Sequence, residues 1–215
     1  MVFNPRISII SIGNPDGLFR TYHSAGHHAL EALQTVIHPP QPPFRRCAHG
    51  AQPCQASDGP KYTLIQSPTS MNVSGRFVMR TWLETATQAA REGRQAGMIV
   101  VHDEMELDLG AAAMRPWDRA RRGHNGLRSI DSVLQLPQMR TPGEIRWCTI
   151  GVGIGRPSSR ESEDVREFVL SKIRMRDMER IRSAGGVIWS LVSRFEKEWE
   201  QELTKGAGID GKFRG

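Results

Sequence analysis

Short runs of β-branched and apolar residues alternate with longer stretches of helical periodicity along this chain. The run Ile7–Ile12 ends at a Gly-Asn-Pro turn, which is typical of a buried strand that stops at a loop. The same criterion predicts further strands at 62–66, 98–101, 107–113 and 145–154.

Helical periodicity predicts helices at 28–37, 74–94, 126–136 and 176–203. Strands that alternate with helices favour an α/β fold, here a single domain with a twisted, mixed, mostly parallel sheet surrounded by helices. We expect this domain to span residues 1–205, followed by a flexible tail at 206–215.

A proline-rich segment at 38–60 interrupts the pattern. Its prolines are followed by Gly, Gln, Ser and Asp, a composition that predicts a loop or a partly disordered insert. Cys47, His49 and Cys54 lie in this segment, but their spacing is not that of a zinc knuckle. With Cys148 they are expected to be free thiols in a surface loop and a strand, so no metal site is predicted.

Composition and charge narrow the class of protein. The chain has 215 residues, 38% of them hydrophobic, which is enough for its own core. No apolar run approaches the roughly 18 residues that span a bilayer, and the first residues resemble neither a signal nor a transit peptide. We therefore expect an intracellular location.

The net charge of +6 includes arginine-rich groups at 115–128 and 172–182, which are either solvated faces or signs of a phosphate-rich partner.

Polar residues follow the predicted strands at the ends where ligands bind in open α/β sheets. They are Asn14, Asp103 and, on the loop that follows Asn14, His23; two further asparagines, Asn72 and Asn125, lie in other short motifs. An imidazole can take a proton from water at neutral pH, and a carboxylate on its other nitrogen would fix its tautomer. Side-chain amides can hold substrate carbonyls and stabilise an oxyanion.

Each of these residues also has a structural interpretation. Asn14 and Asn125 adjoin Pro or Gly, where asparagine often makes a turn. His23 and His27 have the spacing of a zincin metal site, although the glutamate beside the first histidine is missing. His23 could also start a helix without any chemistry. Spacing alone does not bring these residues into one site.

Several short motifs occur in a fixed order. They are Gly13-Asn14-Pro15, His23-Ser24-Ala25-Gly26, Pro68 to Gly75, Val101-His102-Asp103-Glu104, Gly123-His124-Asn125-Gly126-Leu127 and Gly153-Ile154-Gly155-Arg156-Pro157. In this order they resemble the bacterial-type peptidyl-tRNA hydrolase family, including its eukaryotic organelle-associated members. The resemblance covers most of the chain, from Ile7 to the last helix.

The resemblance implies hydrolysis of the ester between a peptide and the 3′ end of a tRNA, without cofactor or metal. His23 matches the catalytic base, Asp103 its partner carboxylate, and Asn72 the asparagine that holds the water or the reacting carbonyl. The substrate-binding positions that it implies are Asn14, Met71, His124 and Asn125. The expected partner is the acceptor arm and 3′ end of peptidyl-tRNA, bound by a monomer in the cytoplasm or a mitochondrion.

The chain departs from the family pattern at several places, of which two bear on the site. Ser24 replaces the usual asparagine after the histidine, and we expect it to cap the following helix. An arginine-rich stretch replaces the glycine-rich approach to the His-Asn-Gly motif. The candidates for contact with tRNA phosphates are Arg115, Arg121, Arg122 and Arg146. Alternative functions are a non-catalytic RNA-binding protein of the same fold and a hydrolase of other aminoacyl esters.

Overall fold

The computed structural model describes residues 3–117, 123–134 and 146–210, the last five of these in backbone only. Within these residues the strands of one sheet are β1 (Arg6–Ser11), β2 (Arg45–His49), β3 (Gln52–Asp58), β4 (Tyr62–Gln66), β5 (Ala96–Glu104), β6 (Ala112–Pro116) and β7 (Arg146–Gly153). The described α-helices are α1 (Ala25–Val36), α2 (Ser74–Arg91), α3 (Asn125–Leu134), α4 (Ser162–Leu170) and α5 (Met175–Asp210).

The strands lie in the order β2-β3-β4-β1-β5-β7-β6. The four central strands, β4, β1, β5 and β7, run parallel, while β2, β3 and β6 pair antiparallel with their neighbours. This arrangement confirms the predicted α/β fold with a mixed sheet. Because the central strands are parallel, their carboxyl ends lie along one edge of the sheet.

Helices cover both faces of the sheet. Helices α1 and α5 pack together over one face, and α2 and α3 pack together over the other. Strand β1 contributes Ile7 and Ile9 to the first core, and Ile10 to the second, as the alternation of side chains along a strand requires. Strands buried on both faces explain the continuous apolar runs in the sequence.

The predicted loop at 38–60 is wrong over much of its length, because β2 and β3 form a hairpin there. Gly50 and Ala51 both have positive φ and make the two-residue turn. Most residues of β2 are exposed, so its composition is polar and resembles that of a loop. The hairpin extends the sheet beyond β4 through antiparallel pairing.

Elements in the second half of the chain also differ from the prediction. The strand expected at 107–113 forms at Ala112–Pro116, because the chain first turns at Gly110, whose N–H bonds to the carbonyl of Gly153. Helix α4 was missed because it is short and buries only Val169. Helix α5 extends through the first five residues of the predicted tail, and 211–215 lie outside the described residues. No helix in the described part of the chain is both long and apolar enough to cross a membrane.

Candidate active site

A cleft of about 680 Å³ opens at the edge where the central strands end. It is lined by every residue that the sequence analysis assigned to catalysis or substrate binding: Asn14, His23, Met71, Asn72, Asp103, His124 and Asn125. The fold therefore brings together the loops that follow β1 and β4, the carboxyl end of β5 and the start of α3.

His23 and Asp103 form a hydrogen-bonded pair in this cleft. The Nδ1 atom of His23 donates to the Asp103 carboxylate and lies 2.9 Å from both of its oxygens. Burial alone would lower the pKa of His23, but the charge and hydrogen bond of Asp103 outweigh it, and the pKa is raised. With its proton on Nδ1, the neutral imidazole carries a free lone pair on Nε2, which can accept a proton from water.

A close approach between α1 and β5 makes this pair possible. A Cβ atom on Gly26 would lie 2.9 Å from the carbonyl oxygen of Val101 and 3.2 Å from that of Ile12. Any larger residue would push α1 away from these strand ends. Glycine therefore places the turn that carries His23 beside Asp103, which follows Val101 by two residues.

A second histidine shares the same carboxylate. His124 donates from Nε2 to Oδ1 of Asp103 over 3.0 Å, and its Nδ1 accepts the N–H of Leu127 over 3.4 Å. Burial would raise the pKa of Asp103, but its interactions with His124 and His23 outweigh burial and hold the pKa well below its usual range. The carboxylate therefore stays ionised between two imidazoles. The sequence motif predicted a substrate contact for His124 and gave no sign of this bond.

Asn14 is fixed by hydrogen bonds on two sides. Its side-chain oxygen accepts the N–H of Met71 over 3.0 Å, which leaves its amide N–H groups to face a ligand. Its backbone N–H donates to Oγ of Ser24 over 3.0 Å. The Ser24 hydroxyl also lies 3.0 Å from the carbonyl oxygen of Leu18. The predicted helix cap is therefore wrong: Ser24 makes no side-chain cap bond, because its hydroxyl holds the loop after β1.

Asn72 and Asn125 are exposed on the walls of the cleft. Asn72 lies in a 3₁₀ turn, Met71–Val73, directly before α2, and Asn125 is the first residue of α3. Among the described residues neither side-chain amide has a hydrogen-bond partner. Both are available to a ligand.

Helix α4 supplies an apolar wall that the sequence analysis did not foresee. Val165, Val169 and Leu170 line the cleft from this helix, and Leu18 lines it from the loop after β1. Arg156 at the rim forms an ion pair with Glu106. Helix α4 is short and buries only Val169, so its sequence did not show that a helix would line the site.

The predicted phosphate contacts fall in different places. Arg115 is exposed on the edge strand β6. The prediction that Arg146 contacts tRNA phosphates at the cleft is wrong. Arg146 starts β7 at the opposite end of the sheet from Asp103, and its guanidinium pairs with Glu202 over 2.6 Å. A residue at the amino end of a parallel strand cannot reach a cleft at the carboxyl end. Arg121 and Arg122 lie outside the described residues.

Buried histidines beside the site have structural partners. His27 does not join His23; its Nδ1 lies 2.7 Å from Oγ of Ser11, and burial lowers its pKa to about 3. This overturns the zincin interpretation. Burial first, and then His124 and Arg115, lower the pKa of His102 to about 3. Among described residues, His23, Asp103 and His124 are the group in this cleft whose ligand atoms are close enough to hold a metal ion.

Comparison with known proteins places this arrangement in a family. The sequence model described as "Peptidyl-tRNA hydrolase" matches residues 8–207. The chain belongs to the peptidyl-tRNA hydrolase family. This confirms the family resemblance inferred from the ordered motifs.

Individual peptidyl-tRNA hydrolases show the extent of the likeness. A probable peptidyl-tRNA hydrolase of Schizosaccharomyces pombe is 36% identical over 121 residues, which cover 56% of this chain and 54% of that protein. The peptidyl-tRNA hydrolase of Saccharomyces cerevisiae is 27% identical over 161 residues, 74% of this chain and 78% of that protein. The matched region thus spans about half the length of the fission yeast relative.

A solved structure shares the fold. The crystal structure of peptidyl-tRNA hydrolase from Acinetobacter baumannii superposes with a TM-score of 0.64 and 20% identity, and 94% of each chain is covered. At this identity the likeness concerns the fold of the peptidyl-tRNA hydrolases.

Proposed function

We propose that this protein hydrolyses the ester bond between the peptide and the tRNA of peptidyl-tRNA, with His23 as the general base. The observation that carries the proposal is the pairing of His23 with the buried, ionised Asp103 in a cleft lined by three asparagines. A purely RNA-binding protein would need neither the pair nor the cleft.

The reaction follows from the orientation of the pair. A water molecule attacks the ester carbonyl while Nε2 of His23 takes one of its protons. The imidazolium that forms is stabilised by Asp103 through Nδ1–H. The free amide of Asn72 donates to the oxyanion of the tetrahedral intermediate. Collapse of this intermediate breaks the bond to the 3′ oxygen, which takes the proton back from His23, and leaves a free peptide and a free tRNA.

The substrate is held on both sides of the reacting ester. The free N–H groups of Asn14 face a peptide carbonyl, and the apolar wall of α4 accepts peptide side chains. Asn125 contacts the terminal ribose at the mouth of the cleft. These contacts require an acylated amino group next to the ester, so free aminoacyl-tRNA should be a poor substrate.

Basic residues beside the cleft bind the acceptor arm. Lys172 and Arg174 are exposed, and the segment that carries them is joined to the His23 loop by backbone hydrogen bonds, from Tyr22 to Ser171 at 3.2 Å and from Ile173 to Arg20 at 2.9 Å. Together with Arg115, Arg121 and Arg122 they contact tRNA phosphates. Binding should therefore weaken steeply as salt concentration rises.

The protein acts as a monomer, since one chain supplies all of the described residues that line the cleft. Its place of action is the cytoplasm or a mitochondrion, where translation produces peptidyl-tRNA.

The decisive experiment compares His23→Ala with His38→Ala, a matched change at an exposed histidine outside the cleft. Turnover of an N-blocked aminoacyl-tRNA should fall about 10²- to 10⁴-fold in the first variant, because a general base contributes rate enhancement of this size. It should be unchanged in the second. Activity of His23→Ala near the parent level would refute the assignment, and equal hydrolysis of free aminoacyl-tRNA would favour a broader esterase.

Charge reversal tests the docking surface. Lys172→Glu combined with Arg174→Glu, and Arg121→Glu combined with Arg122→Glu, should each weaken tRNA binding and flatten its salt dependence. Arg194→Glu, at an exposed position on α5, is the control. Unchanged affinity in both double variants would mean that these basic groups are only solvated.

A further inference from the structure

A second cluster of metal-ligating side chains lies on the hairpin, outside the cleft. One ligand atom from each of Cys47, His49 and Asp58 lies within 4.8 Å of the others. Nε2 of His49 is 3.0 Å from Oδ1 of Asp58. All three residues are only partly buried, so an ion could reach them from solvent.

A fourth donor adjoins this cluster. Cys54 is buried and lies directly opposite Cys47 in the pairing of β2 with β3, next to the group of three rather than within it. Both cysteines are free. Thiolate, imidazole and carboxylate donors together form a ligand set of the type that binds Zn²⁺ in tetrahedral geometry.

The other side of the imidazole is also suited to metal binding. Nδ1 of His49 lies 3.9 Å from a carboxylate oxygen of Glu84 on α2, which accepts the N–H of Gly50 over 2.9 Å. A carboxylate behind a ligating histidine fixes the ring and favours the nitrogen that faces the metal. A disulfide between the two cysteines would make no use of His49, Asp58 or Glu84.

We propose that Cys47, His49 and Asp58 form a Zn²⁺ site, with Cys54 as the fourth ligand and Glu84 supporting His49. The charges of the ligands suit a divalent cation. Two thiolates, one carboxylate and the ion together carry a net charge of −1, and the guanidinium of Arg45 lies 3.8 Å from Asp58 beside them. Zinc at this position would tie the two strands of the hairpin together. The sequence predicted only free thiols here, because the ligands lie at 47, 49, 54 and 58 without the regular spacing of a zinc knuckle.

Cobalt substitution tests the site on the full chain. The protein is reduced with a phosphine, its three thiols are counted, and Co²⁺ is titrated in while thiolate-to-cobalt charge transfer and the d–d bands are recorded. We expect one equivalent of Co²⁺ to give both signals of tetrahedral thiolate ligation, and Zn²⁺ to displace it. Co²⁺ affinity should fall by about 10- to 100-fold in Cys47→Ser, in His49→Ala and in Glu84→Gln. The charge-transfer band of Cys47→Ser should also drop to about half, because only Cys54 still supplies a thiolate.

Two controls separate this site from other metal-binding groups. Cys148→Ala removes a thiol buried in the core, and His23→Ala removes a ligand from the cleft group; both should keep the band. Circular dichroism of each variant shows whether it is folded, and His49→Ala provides the test if Cys47→Ser does not fold.

Several outcomes would overturn the proposal. They are the absence of a thiolate band, a band and a Co²⁺ affinity that both stay unchanged in folded Cys47→Ser or His49→Ala, or bound Co²⁺ that is lost only in His23→Ala. A reduced sample that retains a single free thiol would instead identify Cys47 and Cys54 as a stable disulfide. None of these outcomes bears on the proposed hydrolase activity.

Discussion

Replacing Asp103 by asparagine tests the pair at the centre of the site with almost no change in volume. The carboxylate is 3% exposed and accepts hydrogen bonds from both His23 and His124. Asparagine has one acceptor oxygen and one donor group in its place, so it cannot accept from both rings in the same way. If its amide N–H faces His23, the imidazole must carry its proton on Nε2 and can no longer act as a base.

The expected magnitude follows from the geometry. With the Nδ1-to-oxygen distance at 2.9 Å, the two charge centres are about 4 Å apart, and an effective dielectric constant of about 20 gives roughly 4 kcal/mol of attraction in the imidazolium state. Each 1.36 kcal/mol corresponds to about tenfold in rate, so kcat/KM should fall by about 10³-fold. Partial exposure of the His23 side chain, 15%, makes this an upper value.

The assay is steady-state hydrolysis of an N-blocked aminoacyl-tRNA across a pH series. The base must be neutral to act, and Asp103 raises the pKa of His23, so wild-type kcat/KM should decline as pH falls through a value above 6.5. In Asp103→Asn the charge that raises this pKa is gone, and the decline should shift to lower pH. The loss in activity should therefore be larger above the wild-type pKa than below it.

Asp108→Asn is the matched control, because it makes the same change after the end of β5 but outside the cleft. It should keep wild-type activity and pH dependence. Asp103→Asn with kcat/KM within threefold of wild type, or with an unmoved acid decline, would refute the role given to the carboxylate.

Three further variants test the surroundings of the pair. His124→Ala removes one hydrogen-bond donor to Asp103, so the acid decline of kcat/KM should move to higher pH, opposite to the shift in Asp103→Asn. The value of kcat/KM should fall about tenfold, since the lost hydrogen bond is worth about 1.5 kcal/mol. A shift of the acid decline to lower pH would contradict this. Ser24→Ala should raise KM and lower the free energy of unfolding in urea by about 1–3 kcal/mol, since buried groups of the loop after β1 lose their partner; an unchanged KM would argue against positioning. Gly75→Ala would press a methyl group onto a backbone carbonyl of α3 and should lower the free energy of unfolding by about 1–3 kcal/mol. The control is Gly186→Ala, which has open space at its Cβ and should stabilise α5 slightly. Equal urea midpoints for these two glycine variants would show that the α2–α3 contact adapts freely.

The sequence predicted strands and helices correctly where many of their residues are buried. The strand predicted at 62–66 forms at Tyr62–Gln66, and the helix predicted at 74–94 forms at Ser74–Arg91. Both have many buried positions, so their hydrophobic patterns are strong. The hairpin was missed because β2 is mostly exposed, and its strands are stabilised by pairing with distant residues of β4 rather than by their own composition.

The sequence by itself determined which residue types are available for chemistry and, through the ordered motifs, which family the chain belongs to. Only the tertiary structure decided which side chains touch. His23 and Asp103 are separated by 80 residues, and His124 joins them from the start of another helix. Such contacts depend on how closely helices approach strand ends, as at Gly26, and no local periodicity encodes that distance. The same holds for Arg146, which lies at the far end of the sheet, and for Ser24, whose hydroxyl bonds to the loop of Asn14. The direction of a strand and the hydrogen-bond partner of a hydroxyl are set by packing rather than by position in the chain.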